Sequence, residues 1–267
     1  MTELVRRIGL AEDLVLRLEM LDSRERVKIE KAVEKCKNGS FSHLGRKSPL
    51  FRLAVILKLA EDVKTSYDAA GISDEIFYET MSDIKIWCEK CGNKGIKNYG
   101  WLKNHVNFEL FRLGRLQFQL YECKNRTLNY KKLPFSYGEK LIYVHIPEGE
   151  RLETEKCICS LKAANEFFKK YFPDYSYRYY FCESWLLFEG NREFMSKESN
   201  IVKFMSLFNI CYSVNIDEQT IERVFGRRHL FVKFYPEKTD LQRRLKKYMS
   251  GGSRAGIGIG FIKKEDI

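Results

Sequence analysis

Two ionisable side chains sit inside otherwise apolar runs. His145 lies in Leu141-Ile-Tyr-Val-His-Ile146, and Glu183 lies in the aromatic run Tyr177-Arg-Tyr-Tyr-Phe-Cys-Glu-Ser-Trp-Leu-Leu-Phe188. An imidazole titrates near neutral pH and can serve as a base. A carboxylate in apolar surroundings has its pKa raised by desolvation, toward the range useful for taking a proton from an amine. Each has an ordinary alternative: His145 bonded to a neighbouring backbone group, and Glu183 turned outward to water by the pleat. Cys182, next to Glu183, faces the other side of the strand and has no adjacent cation to stabilise a thiolate, so it reads as core. Tyr212 offers a phenolic proton donor, or simply a half-buried tyrosine.

These residues need elements to hold them. Leu141 to Ile146 read as a strand that stops at Pro147, which has no ladder N–H to give. Gly149 allows a tight turn. From Thr154, the expected N-cap, apolar residues recur as Ile158, Leu161, Ala164, Phe168, Tyr171 and Phe172, a helical period closed by Pro173. A strand that feeds a helix N-terminus is a common ligand position, because free N–H groups and the helix dipole favour anions there.

The chain has 267 residues, enough to bury a full core, and reads as two domains. Its 44% apolar, 14% aromatic and 31% charged composition is that of a folded, soluble protein. Apolar stretches are too short to span a bilayer and the N-terminus lacks a signal peptide's apolar centre, so a cytoplasmic location and no membrane partner are expected. Eight scattered cysteines read as reduced thiols. Cys88 and Cys91 have metal-ligand spacing, but a structural zinc needs two more ligands, and the next candidates are only His105 and Cys123; no metal is expected. Net charge is +11, and Thr239 to Lys264 carries seven Lys/Arg against one acid, Asp240. Such a tail suits a phosphorylated cofactor, an acidic substrate or nucleic acid, or is a solvated helix face.

Residues 1–112 read as helical, with apolar spacing of three to four in Leu4–Met20, Val27–Cys36, Leu50–Leu59 and Ile76–Cys88 and no convincing strand. At Leu113 the period changes. Leu116, Phe118 and Leu120 alternate with Arg115, Gln117, Gln119 and Tyr121 as a half-buried strand. After the central helix come the aromatic strand of Tyr177–Phe188, a helix over Ser199–Phe208, strands over Cys211–Ile216 and His229–Phe234 around a helix at Glu218–Phe225, and a last helix capped by Thr239 with Gln242. The closing Gly256-Ile-Gly-Ile-Gly-Phe-Ile262 reads as a strand whose missing side chains admit another backbone or a ligand. With no helix after it, it is not a dinucleotide fingerprint.

This order resembles the GNAT superfamily of acyl-CoA-dependent N-acyltransferases, and more narrowly bacterial two-domain acyltransferases with a helical N-terminal domain. The resemblance rests on Leu113-Gly-Arg-Leu-Gln-Phe118, His145-Ile-Pro-Glu-Gly149, Cys159-Ser-Leu-Lys-Ala-Ala164, Phe167-Phe168, Phe172-Pro173, Cys182-Glu-Ser-Trp-Leu-Leu187, Ser199-Asn-Ile201 and the glycine-rich end. It implies an α/β (α+β) fold: an all-helical domain, 1–112, then a GNAT-like mixed β-sheet flanked by helices, 113–267. It further implies that the strand ending at Ile146 and Pro147 and the strand holding Trp185 splay apart to admit the pantetheine arm of acyl-CoA. The pyrophosphate would then sit over the helix N-terminus, near Glu148, Gly149, Arg151, Thr154 and Lys156, with Asn200 on the following helix. An amine would attack the thioester directly, with Glu183 or His145 as base and Tyr212 as donor to the departing thiolate. The acceptor would be a small-molecule amine or a peptide-like amine, covered by the helical domain.

The chain departs from the family pattern twice. Its phosphate loop, Glu148-Gly-Glu-Arg-Leu-Glu-Thr-Glu155, carries four acids, which suit the helix dipole by themselves and oppose an anion. Counting seven or eight residues from Asn200 meets Leu207 and Phe208 where superfamily members carry a tyrosine. These departures support a rival reading, a GNAT-shaped binding protein without catalysis. A nucleic-acid-binding role for the basic tail ranks behind both, since no nucleic-acid motif accompanies it.

Overall fold

The computed structural model describes residues 3–124 and 133–267. The chain forms two compact units, one of Met1–Gln119 with Ile146–Glu148 and the other of Leu120–His145 with Gly149–Ile267.

The first unit contains helices α1 (Glu3–Ile8), α2 (Glu12–Glu19), α3 (Ser23–Lys37), α4 (Pro49–Ala70), α5 (Asp74–Met81), α6 (Asp83–Lys90) and α7 (Tyr99–Val106), then strand β1 (Leu110–Leu113) and the start of β2 (Leu116–Glu122). Local chemistry sets the helix starts. Asp22 and Glu25 close a reciprocal capping box on α3. Ser48 Oγ accepts the Phe51 N–H at 3.2 Å, with Pro49 as the first residue of α4. The long α4 buries Leu53, Ile56, Ala60 and Tyr67. The Tyr67 ring meets Phe77, Phe108 and Phe111 with centroids 5.1, 5.0 and 5.7 Å away.

Four features of this unit differ from the sequence reading. The helix expected over Leu4–Met20 breaks after Ile8, and that over Ile76–Cys88 breaks at Ser82, which both ends α5 and opens α6. A strand lies at Leu110–Leu113, where none was expected before residue 113. Four residues carry too little pattern to announce a strand; β1 exists because it folds back on β2, pairing Leu113 with Leu116 and Leu110 with Gln119. The start of β2 is buried on both faces, Gln117 included, as is Arg115 just before it, so it is not the half-exposed strand that alternation suggests.

The second unit continues β2 and adds β3 (Lys140–His145), α8 (Thr154–Tyr171), β4 (Tyr179–Ser184), α9 (Asn191–Phe194), α10 (Asn200–Met205), β5 (Asn209–Val214), α11 (Glu218–Phe225), α12 (Asp240–Ser250) and β6 (Ile257–Lys263). The sheet is mixed, in the order β1-β2-β3-β4-β6-β5. β3 and β4 are parallel, whereas β6 runs antiparallel to both of its neighbours, β4 and β5. Thr239 and Gln242 form the capping box of α12 as the sequence reading expects. The strand expected over His229–Phe234 is instead a single 3₁₀ turn at Val232–Phe234. Its β-rich composition finds no ladder, because β6 rather than this segment pairs with β5.

The glycines of β6 admit backbone. A Cβ at Gly258 would stand 2.0 Å from the Leu187 carbonyl oxygen, so the turn after β4 packs directly onto this strand. Among the described residues no helix is long and apolar enough to cross a membrane.

Candidate active site

Ladder pairing between β3 and β4 stops early. The register between them covers Ile142 with Tyr180 and Tyr143 with Phe181, whereas β3 itself runs on to His145. β4 meanwhile keeps its register with β6 out to Ser184 opposite Gly258. The two parallel strands therefore part after Tyr143 and Phe181, leaving a V between the end of β3 and the segment Cys182–Ser184. The Tyr143 hydroxyl donates to the Glu183 carbonyl oxygen at 3.4 Å.

Register places the candidate side chains on one face of the sheet. Tyr143 opposes Phe181; His145 and Glu183 lie two residues further on, hence on the same side. Glu183 opposes Ile259, and Ile259 opposes Tyr212 on its other flank. Tyr212 reaches this face through a β-bulge. Ile210 pairs with Gly260, so unbroken register would set Cys211 against Ile259 and send Tyr212 to the other side; the inserted residue re-aims it. Around these groups lies an aromatic floor. The Tyr143 ring stacks on His145 at 4.0 Å and meets Phe181 at 4.8 Å and Tyr121 at 5.2 Å.

Glu183 is half-buried, and burial raises its carboxyl pKa above the ordinary value. Burial likewise raises the Tyr143 phenol, with the Glu183 charge adding to the effect. Cys182 points to the opposite side, is fully buried, and has its thiol pushed up by burial and then by Glu183. A thiol held protonated in this way is no nucleophile.

α8 starts one residue earlier than the sequence reading places it. Glu153 occupies the N-cap position and makes no side-chain cap, so its carboxylate does not close the first-turn N–H groups. Thr154 is the first helical residue rather than the cap, and its Oγ1 is buried with no hydrogen-bond partner. In the loop Glu153 pairs with Lys156 at 3.2 Å and, within the first unit, Glu148 pairs with Lys90 at 2.6 Å. Gly149 takes φ +102°, the turn expected of it, and Arg151 is exposed just before the helix.

Ile146, Pro147 and Glu148 belong to the first unit, where the buried Arg115 donates from Nη1 to the Pro147 carbonyl at 2.9 Å. Trp185 is not in a strand. β4 ends at Ser184, and Trp185 opens a 3₁₀ turn whose backbone is fixed by side chains: its N–H donates to Gln219 Oε1 at 2.6 Å and its carbonyl accepts from Asn191 Nδ2 at 2.8 Å. Asn200 is exposed as the first residue of α10, and the cap there is Ser199, whose Oγ accepts the Val202 N–H. Leu207 and the buried Phe208 occupy the positions of the missing tyrosine.

Arg115, Tyr143, Asn191 and Gln219 were not singled out from sequence. Arg115 alone carried a signal, as part of the run Leu113-Gly-Arg-Leu-Gln-Phe118. Among the described residues no three His, Cys, Asp or Glu side chains are grouped to hold a metal ion, and burial first, then Cys91 and Glu89, push the Cys88 thiol up to about 12. A concavity of about 740 Å³ lies at the far end of β4, lined by Asn165, Tyr177, Arg178 and Lys263, and contains none of the residues above.

β3 and β4 part ahead of a helix N-terminus, although Trp185, expected on the second strand of the wedge, lies in the turn after it. Residues 1–108 match the N-acyltransferase N-terminal domain, and residues 110–262 match the GNAT-like C-terminal domain. The chain belongs to this family of two-domain, GNAT-like acyltransferases. Solved structures with the same fold include an acyltransferase in complex with decanoyl-CoA and teicoplanin, an acyltransferase mutant in complex with octanoyl-CoA, and an acyltransferase in complex with CoA and 10C-teicoplanin. Each is 23% identical at TM-score 0.81, over 98% of this chain and 86% of the other. No curated protein sequence matches. For this family member the GNAT-like fold and an acyltransferase assignment are thus in place.

Proposed function

We propose that the protein transfers an acyl group from acyl-CoA to an amine on a peptide-like acceptor, by direct attack of the amine on the thioester. The observation that carries this reading is the parting of β3 and β4 beyond the Tyr143–Phe181 pair, with the uncapped first turn of α8 following it. In the reading, pantetheine enters the V beside the open edge of Cys182–Ser184. The phosphates lie toward Gly149, Arg151, Thr154 and Lys156, where free N–H groups attract anions. Glu183 takes the amine proton, with its raised pKa bringing it closer to the task. Tyr212, on the same face, donates to the departing thiolate. His145, stacked on Tyr143, orients that ring. The complexes of the structural neighbours support a medium-length acyl chain and a peptide-like acceptor. We assign acceptor choice to the helical domain, 1–112, and the acyl-CoA site to 113–267, in a cytoplasmic protein.

Calorimetric titration with CoA, octanoyl-CoA and decanoyl-CoA tests the cofactor. Release of free thiol in the presence of peptide amines tests the transfer. Absence of binding at millimolar ligand sinks the reading. Binding without thiol release favours the rival, a catalytically silent acyl-CoA-binding protein, which Leu207 and Phe208 in place of a tyrosine support.

A further inference from the structure

Leu230, Phe231 and Phe234 are 87%, 55% and 56% exposed, large apolar side chains open to solvent within five consecutive positions. Their exposure is built rather than frayed. The turn at Val232–Phe234 is closed by the Phe234 N–H to the Phe231 carbonyl and the Tyr235 N–H to the Val232 carbonyl, both 3.1 Å. A 3₁₀ turn sets residues three apart side by side, and the Phe231 and Phe234 rings accordingly stand 6.0 Å apart. The same geometry turns Val232 and the buried Tyr235 inward onto Ile221, Phe225 and Leu245. Lys246 of α12 fastens the turn from behind, donating at 2.9 Å to the carbonyls of both Lys233 and Tyr235 while pairing with Glu237 at 2.6 Å.

The surroundings are cationic. Gly226 to Lys247 holds eight Lys/Arg against Glu237 and Asp240. The Lys233 ammonium lies 5.9 and 5.1 Å from the Phe231 and Phe234 ring centres. Arg227, Lys238 and Lys247 are exposed and form no ion pair with a described residue. Apolar tips rimmed by cations suit the boundary between anionic headgroups and acyl chains, where the tips gain burial and the cations meet phosphate. Nucleic acid fits less well: the rings stand at 63°, which is no stacking platform, and the most exposed residue is the aliphatic Leu230.

We propose that the 226–238 knuckle docks this protein on the surface of an anionic bilayer, with Leu230, Phe231 and Phe234 inserted and Arg227, Lys233 and Lys238 at the headgroups. Absence of a membrane span led the sequence reading to expect no membrane partner; a peripheral contact needs no span. The proposal is independent of the acyl-transfer reading.

Flotation of the full-length chain with vesicles of phosphatidylcholine alone, or mixed equally with phosphatidylglycerol, tests it. The mixed vesicles are expected to bind at least about tenfold more strongly, and salt to weaken the binding. The triple variant Leu230→Ser, Phe231→Ser, Phe234→Ser is expected to lose that binding with unchanged circular dichroism. The pair Arg227→Glu, Lys233→Glu should lose it too, which keeps the test decisive should the triple variant misfold. The proposal is overturned by no binding to mixed vesicles, by equal binding to neutral ones, by wild-type binding in both variants, or by retention on RNA or self-association in place of vesicle binding.

Discussion

The Tyr143 hydroxyl bonds the Glu183 carbonyl at 3.4 Å across the point where β3 and β4 part. Backbone pairing has ended there, so a side chain rather than a ladder bridges the mouth of the V. On the proposed acyl-CoA site, a ligand amide entering along β4 would compete with that hydroxyl for the same carbonyl. Tyr143→Phe is therefore expected to cost about 0.5–1.5 kcal/mol of stability. It should also tighten CoA binding by about two- to fivefold, the equivalent of a weak neutral hydrogen bond. Calorimetry on both proteins decides, and a tenfold loss of affinity would instead make the hydroxyl a CoA ligand.

Arg115 supplies a second anchor. Its buried guanidinium holds the Pro147 carbonyl, at the end of the proposed pantetheine strand. Arg115→Met keeps the stem and removes the donor, leaving that carbonyl short of a partner. A loss of roughly 1.5–3 kcal/mol in urea unfolding is expected, as for a hydrogen bond to a charged group. Weakened CoA binding should accompany it, with partial recovery in Arg115→Lys. Unchanged CoA affinity in Arg115→Met would separate Arg115 from the site.

Glu183 as base predicts a particular pH profile. Burial raises its carboxyl, so the ionised, active form appears only above the ordinary glutamate value. The acid limb of kcat/KM is expected above about pH 4.3, the unperturbed value. Glu183→Gln should lower turnover by about 10²–10⁴-fold, with the acid limb gone. A limb at or below the ordinary value, or a Gln variant of near wild-type rate, contradicts the assignment.

The first unit holds a buried acid. Asp83 Oδ2 accepts from Trp101 Nε1 at 2.8 Å and lies 3.1 Å from His105 Nε2, with Asp83 3% and His105 0% exposed. Burial raises the carboxyl, but the His105 bond and charge and the Trp101 bond outweigh it, so its pKa falls below the ordinary value. A folded-state pKa below the unfolded one adds stability that is present above about pH 3.9, the unfolded value, and is lost as pH falls through the folded value. Asp83→Asn is expected to cost on the order of 3 kcal/mol near neutrality, the low end for breaking a buried pair. The difference from wild type should shrink in strong acid. Urea midpoints at pH 7 and pH 3 check this, and a constant gap would rule out the linkage.

Gly258 is tested sterically. A methyl group there would meet the Leu187 carbonyl oxygen at 2.0 Å, against backbone that cannot rotate away. Gly258→Ala should cost about 3 kcal/mol or more through overpacking. Gly149→Ala meets no atom within 4 Å and carries only the strain of φ +102°, on the order of 1–3 kcal/mol. Denaturation midpoints in the reverse order would contradict this packing.

Features whose physics lies within a few residues were legible in the sequence. The period and proline stop of α8, the Thr239–Gln242 cap, the 218–225 helix and the strand nature of 257–262 depend on neighbours in the chain, and they stand where local pattern puts them. The GNAT-like order of elements followed from those pieces and from the family motifs. Features that depend on distant partners were not legible. Whether Arg115 is exposed depends on what covers the start of β2. Whether His229–Phe234 becomes a strand depends on which segment takes the edge of β5. The side of the sheet that Tyr212 faces depends on one inserted residue opposite β6. Sequence by itself named residue types suited to chemistry and, for His145 and Glu183, the strands that carry them. Only the tertiary structure decided that Glu183 and Tyr212 share a face and that β3 and β4 part beside them, because register and burial are set by long-range pairing that no local window contains.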